Sequence, residues 1–212
     1  MPRLILARHG STPYNEMGLW TGLTDVDLSE GGKAEATKAG LILADVAIYA
    51  AYVSELRRTA STLSLIMAEN RHGQPQKVQS TPALNERDYG QFTGMKKEEV
   101  RAKYGDAVFA QIRRSWDHRE ESWGGLETLK RVHDTKVVPF HRETVKPDLD
   151  AGRNVLVISS NNPLRGYVKF LENIPVEEVP FIELGTAEVR IYEYDQAGRI
   201  TDSAVHPVGD VH

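Results

Sequence analysis

Apolar residues along this chain of 212 residues fall into two spacings, and the short uninterrupted runs mark strands. Residues 3–7, carrying Leu4, Ile5 and Leu6, read as a buried strand stopped by a polar cluster that ends in Gly10. Residues 49–54 read as a second strand and 77–81 as a short third. The clearest central strand is 154–159, because Val155, Leu156, Val157 and Ile158 form the continuous apolar run expected where helices cover both faces of a parallel sheet. Residues 188–194 alternate Val189, Ile191 and tyrosines, and 195–198 supply a turn into a last short strand.

Helical spacing fills the intervals. Ser29 suits an N-cap for the Ala- and Lys-rich run over 31–46, and 56–70 puts Leu63, Ile66 and Met67 on one face. Residues 96–115 hold two short helices divided at Gly105, followed by a polar, tryptophan-bearing segment, 116–125, that reads as a flexible insertion. A longer helix is predicted over about 126–145, and Pro163 suits the first turn of a helix running to Glu172. This order predicts an α/β fold in three layers, α/β/α, with a mostly parallel sheet and one antiparallel edge strand. Residues 1–212 read as one domain, with a helical insertion at about 92–125. In such sheets ligands bind beyond the carboxyl ends of the strands, where the polar clusters converge.

Composition narrows the function. With 40% hydrophobic and 26% charged residues the chain is neither disordered nor fibrous. A formal net charge of −4 argues against nucleic acid or a membrane surface as partner, so an anionic substrate requires a local basic pocket. The absence of cysteine excludes disulfides, thiol nucleophiles and cysteine zinc sites. The apolar run at 4–7 is too brief for a signal-peptide core or a membrane span, which predicts a cytoplasmic address. His72, His118, His133, His141 and His212 show no compact ligand spacing, and no metal is expected.

The candidate chemistry starts at Arg8-His9-Gly10, where an imidazole and a guanidinium follow a strand beside a glycine that lets a ligand approach the backbone. Ser11, Thr12, Asn15, Thr21 and Gly22 add hydroxyl, amide and backbone groups suited to phosphate oxygens. Arg57 and Arg58 point in different directions from a helix start, and Arg58 is the one expected to clamp a phosphate. In the polar loop 82–94, Glu86 is a candidate proton shuttle, with Arg87 and Tyr89 as substrate binders.

These residues together resemble the histidine phosphatase superfamily and, within it, the cofactor-dependent phosphoglycerate mutases. The resemblance covers most of the chain. It rests on Arg8-His9-Gly10, Asn15, Thr21-Gly22, Asp27-Leu28-Ser29-Glu30, Ser54 with Arg58, Leu84-Asn85-Glu86-Arg87 with Tyr89-Gly90, Lys97, Lys103-Tyr104-Gly105, Arg113-Arg114, and Asn162 with Leu164-Arg165. It implies that His9 carries a phosphohistidine, that Arg8 and Arg58 hold its oxygens, and that Glu86 is general acid and base toward the substrate hydroxyl. It also implies that Arg87, Tyr89, Lys97, Arg113 and Arg114 bind the carboxylate and second phosphate of a phosphoglycerate, with Asn15, Thr21, Gly22, Asn161 and Asn162 completing the binding set. Taken singly, Lys97, Arg113 and Arg114 read as solvated charges, and only the pattern makes them ligands. The implied primer is 2,3-bisphosphoglycerate, the implied partner a small phosphorylated acid, and the implied assembly a homodimer or homotetramer.

One position departs from the pattern. The family carries a second histidine after the central strand, in His-Gly-Asn, where this chain has Ser160-Asn161-Asn162. Exchanging an imidazole for a neutral hydroxyl removes a charge-assisted contact to the phosphoryl group of about 1.5–3 kcal/mol. His206 reads as an exposed tail residue, not its substitute, and the short stretch after the last strand leaves little chain for a lid, which predicts hydrolytic leakage. Three readings follow: a mutase interconverting 3- and 2-phosphoglycerate, a phosphatase of small monoesters, and a phosphometabolite-binding homologue impaired by Ser160.

Overall fold

The computed structural model describes residues 1–118 and 120–211. Its framework is a six-stranded sheet in the order β3-β2-β4-β1-β5-β6. The strands are β1 (Arg3–Arg8), β2 (Ala50–Val53), β3 (Lys77–Ser80), β4 (Val155–Ser159), β5 (Val189–Tyr194) and β6 (Ile200–His206). β4 lies parallel between β1 and β2, and β2 pairs parallel with β3. β5 pairs antiparallel with both β1 and β6, so the antiparallel edge is a two-strand unit in which β5 is the reversed strand. The last strand is the longest of the six, at 7 residues, because the turn at 195–198 returns β6 along the whole of β5.

Alternation along the central strands divides the core into two faces. Leu4 and Leu6 of β1, Tyr52 of β2, and Val155 and Val157 of β4 face one side. There they pack on α8 (Asn161–Glu172) and on the helical stretch 129–150, made of α5 (Leu129–Val132), α6 (Val138–Phe140) and α7 (Lys146–Asp150) joined by wider π turns. Ile5, Ala7, Ala51, Val53, Leu156 and Ile158 face the other side, against α2 (Glu30–Ile42) and α3 (Arg57–Ala68). Burying Leu63, Ile66 and Met67 of α3 here contributes about 1.5–3 kcal/mol each. The three-layer arrangement follows from these two faces.

Among the helical regions two expectations are corrected and one is met. The helix expected over 126–145 starts later, at Leu129, where the Thr128 side chain caps the Arg131 amide, and it runs on to Asp150. Each π turn, His133–Val137 and His141–Val145, ends two residues before a proline, Pro139 or Pro147. A wider turn accommodates a residue that lacks an amide donor, so the prolines do not end the helix. The helices expected within 96–115 are present as α4 (Lys97–Arg114), with Gly105 at φ 82° marking the division. The segment 116–125 is not simply a solvated insertion: Trp123 is buried against Phe92 at a 6.0 Å ring separation. With Trp20, Tyr89, Val100, Ile112 and Leu126 it forms a third apolar cluster. The polar residues around Trp123 masked that contribution.

Candidate active site

His9 follows β1 directly and is held on both sides by backbone: its amide donates to Ser159 O at 3.1 Å and its carbonyl accepts from Ala187 N at 3.2 Å. The loop then presses onto α2. A Cβ on Gly10 would stand 2.2 Å from Gly32 O, and one on Gly32 would stand 1.9 Å from Ser11 O, so only glycine fits at either point. The next turn is α1 (Pro13–Glu16), closed by reciprocal capping between Thr12 and Asn15. His9 Nδ1 lies 2.8 Å from Gly10 O. A carbonyl only accepts, so Nδ1 carries the proton and Nε2 keeps its lone pair. Burial, and then the Arg58 and Arg8 guanidiniums, hold the imidazole well below its ordinary pKa, which favours the neutral, nucleophilic form.

His9 lines a cleft with Arg8, Asn15, Thr21, Gly22, Arg58, Glu86, Tyr89, Lys97, Arg113, Ser160 and Asn161. Twelve of the residues singled out from the sequence therefore meet beyond the carboxyl ends of β1, β2 and β4. Leu19 and Trp20 also line the cleft. Leu19 has no polar side-chain group and only its position near Thr21-Gly22 locates it, whereas the Trp20 indole Nε1 is a buried donor with no hydrogen-bond partner among the described residues.

On the β1 side, Arg8 donates to Leu184 O at 2.6 Å, while its Nε is buried with no hydrogen-bond partner among the described residues. Burial lowers its pKa to about 10, which leaves it cationic at neutral pH. Arg58 stands at the start of α3, donating to Thr24 O and Gly22 O at 2.9 Å and, through Nε and Nη2, to the Ser160 hydroxyl at 3.3 Å. Ser160 precedes α8 and makes no side-chain cap to it, because its oxygen is turned to Arg58.

Opposite stands Glu86. Its Oε1 accepts from Arg87 N at 2.8 Å and Asn162 Nδ2 at 2.9 Å, and its Oε2 lies 3.4 Å from Asn162 N. Oε2 is thus the freer oxygen and the one able to carry a proton. Asn162 Nδ2 also donates to the Tyr89 hydroxyl at 2.7 Å, which leaves the phenolic proton available to a ligand. The Tyr89 ring packs on Trp20, with centroids 4.6 Å apart.

Lys97 and Arg113 approach from the two ends of α4. Burial first, and then Arg113, Arg8 and Arg114, push the Lys97 ammonium down to about 8. Such a cluster of cations around one carboxylate, Glu86, fits a ligand with more than one anionic group.

Arg87, Arg114 and Asn162 are absent from the cleft lining. The Arg87 guanidinium is buried on the carbonyls of Ile112, Arg113 and Glu127, so it fastens the end of α4 and stacks under Tyr89 at 4.6 Å. Arg114 pairs with Glu183. Asn162 reaches the cleft only through Glu86 and Tyr89. His206 pairs with Val189 in the sheet and does not line the cleft, and His212 lies outside the described residues. Among the described residues no three His, Asp or Glu side chains are grouped to hold a metal ion, and no helix is long and apolar enough to cross a membrane.

The sequence profile of the histidine phosphatase superfamily (branch 1) matches residues 4–204. The chain belongs to that superfamily. It is 37% identical over 194 residues to a 2,3-bisphosphoglycerate-dependent phosphoglycerate mutase of Cytophaga hutchinsonii, covering 92% of this chain and 88% of that protein. A protein of the same name from Treponema denticola is 35% identical, with 92% and 87% covered. Among solved structures, a mycobacterial glucosyl-3-phosphoglycerate phosphatase complexed with VO3 superposes with a TM-score of 0.78 at 23% identity, covering 99% of this chain and 100% of that one. The α-ribazole phosphatase of Shigella flexneri gives a TM-score of 0.73 at 22% identity, with 98% and 96% covered. At these identities the superpositions establish the shared fold.

Proposed function

We propose that this enzyme is a phosphoglycerate mutase that interconverts 3- and 2-phosphoglycerate through a phosphohistidine at His9. The observation that carries this reading is the tautomer of His9, with Nδ1 committed to Gly10 O and Nε2 free among cationic groups. In the transfer, the Nε2 lone pair forms the N–P bond as the P–O bond to the substrate breaks. With His9 primed, Glu86 Oε2 first takes the proton of the substrate hydroxyl that attacks the phosphohistidine, giving a bound bisphosphoglycerate, and then gives that proton to the alkoxide that departs as Nε2 takes the other phosphoryl group. Arg8 and Arg58 bear the charge spread over the transferring oxygens, and the partnerless Arg8 Nε is a donor that one of those oxygens satisfies.

Lys97 and Arg113, with the Tyr89 phenol, Asn15, Thr21, Gly22 and Asn161, would hold the carboxylate and the second phosphate. The same groups would hold 2,3-bisphosphoglycerate, which when bound supplies the phosphoryl group that first loads His9. The names carried by relatives 35–37% identical over most of their length support the mutase over the phosphatase. A phosphatase uses the same first half-reaction with water as acceptor. Phosphorus NMR of the protein with 3-phosphoglycerate and a trace of 2,3-bisphosphoglycerate separates the two. The mutase gives a 2-phosphoglycerate signal that His9→Ala abolishes, whereas accumulation of inorganic phosphate alone overturns the mutase in favour of hydrolysis.

A further inference from the structure

Arg165 lies in α8, one turn beyond Asn162, and only 1% of its surface is exposed. It forms no ion pair with a carboxylate among the described residues; backbone carbonyls and one side chain surround it instead. Its Nε donates to Ile182 O at 3.1 Å, and its Nη2 to Val179 O at 2.8 Å and Arg114 O at 3.2 Å. Its Nη1 donates to Asn162 Oδ1 at 3.0 Å. A buried cation left without a carboxylate is costly, so its placement calls for a reason.

The bond to Asn162 supplies one. A guanidinium has donors and no acceptor, so the atom of Asn162 that faces Arg165 must be the carbonyl oxygen. The amide cannot turn over. Both protons of Nδ2 are thereby directed at the cleft, one to Glu86 Oε1 at 2.9 Å and one to the Tyr89 oxygen at 2.7 Å. With Oε1 occupied, the exchangeable proton of Glu86 belongs on Oε2. With the phenol oxygen accepting, the Tyr89 proton points to the ligand. Hydrogen bonds in such a chain polarise one another, so the guanidinium strengthens donation to Glu86 as negative charge develops there.

We propose that Arg165 is a positioning residue for phosphoryl transfer, acting through Asn162 to orient and stabilise the Glu86 carboxylate and to set the direction of the Tyr89 hydroxyl. This rests on the reading of Glu86 as the proton donor to the leaving oxygen. The relay acts when the P–O bond breaks: the leaving alkoxide takes the Oε2 proton, and the carboxylate that remains is held through Oε1.

A leaving group that needs no proton escapes this dependence, and that gives the test. The rate of His9 phosphorylation is measured in single turnover with 2,3-bisphosphoglycerate and with p-nitrophenyl phosphate, for the wild type, Arg165→Met, Asn162→Ala and Glu86→Gln. Arg165→Met is expected to slow labelling by 2,3-bisphosphoglycerate about tenfold or more while changing labelling by p-nitrophenyl phosphate less than about threefold, since general acid catalysis is worth about 10²–10⁴-fold only where the leaving group is basic. Asn162→Ala breaks the relay at its centre and carries the same expectation where Arg165→Met fails to fold. Equal slowing with both esters, or no slowing with either, overturns the relay. A Glu86→Gln variant that is slowed alike with both esters overturns the role of Glu86, and the relay with it.

Discussion

The hydroxyl oxygen of Ser160 accepts two N–H groups of Arg58, both at 3.3 Å. With both lone pairs engaged, the hydroxyl proton is free to be donated, and Ser160 lines the cleft beside His9. Ser160 therefore offers the cleft a neutral donor while its oxygen holds the Arg58 guanidinium.

Ser160→Ala is expected to lower kcat by about one order of magnitude, the equivalent of roughly 1.4 kcal/mol in the transfer step. Steady-state turnover at saturating substrate checks this. An unchanged kcat would mean that the hydroxyl takes no part in transfer and that the guanidiniums suffice.

Lys97 gives the site an alkaline limit. Its ammonium has been pushed down to about 8 by burial and by neighbouring arginines, so the free enzyme loses that charge as pH rises past about 8. KM for the phosphorylated acid is expected to climb several-fold above that pH, while kcat changes less. Lys97→Arg keeps its charge throughout, because an arginine does not titrate in this range, and its KM profile is expected to be flat.

His141 gives the fold an acid limit. It is buried between Tyr167 and Phe170, donates or accepts at Tyr167 OH at 3.0 Å, and has its pKa lowered to about 4 by burial and by Lys146 and Arg142. Because the folded value lies below the ordinary 6.5, the unfolded chain takes up this proton first as pH falls. The contribution is complete above about pH 6.5 and is lost as pH falls toward 4, on the order of 3 kcal/mol in all. His9 acts in the same direction, so the comparison is made between the wild type and His141→Phe, both of which retain His9. Urea midpoints at about pH 7.5 and pH 5 should differ less in the variant. An equal difference would show that His141 is not the group responsible.

The glycine contact beneath His9 is a fourth point of attack. Gly32→Ala places a methyl 1.9 Å from Ser11 O, where backbone has to move, and overpacking of this kind costs about 1–3 kcal/mol. The variant is expected to melt at lower temperature and to phosphorylate His9 more slowly. A normal rate in a protein of reduced stability would separate the fold of this loop from its chemistry.

Much of this was legible in the sequence because the signals are local. The apolar runs of β1 and β4 state their own burial, Ser29 caps α2 through the Gly32 amide, and the site residues sit just after strands, where an α/β sheet exposes them. What was not legible depends on contacts across the fold. Arg87 reads as a ligand until its guanidinium is seen on the carbonyls of Ile112, Arg113 and Glu127, and Asn162 reads as one until Arg165 fixes its amide toward Glu86. Trp123 was hidden by polar neighbours, and the continuation of the helix through Pro147 by the usual rule that proline ends a helix.

Transfer of a phosphoryl group to His9 Nε2 underlies every step of the proposed reaction. It is tested most directly by mixing the protein with 2,3-bisphosphoglycerate, quenching in alkali, and mapping the phosphoryl group by mass spectrometry of the peptide that contains residues 8–10. A phosphoryl adduct on His9 that acid removes, alkali preserves and 3-phosphoglycerate discharges is the predicted result. An intact His9 in a folded protein that nevertheless turns the substrate over would contradict it.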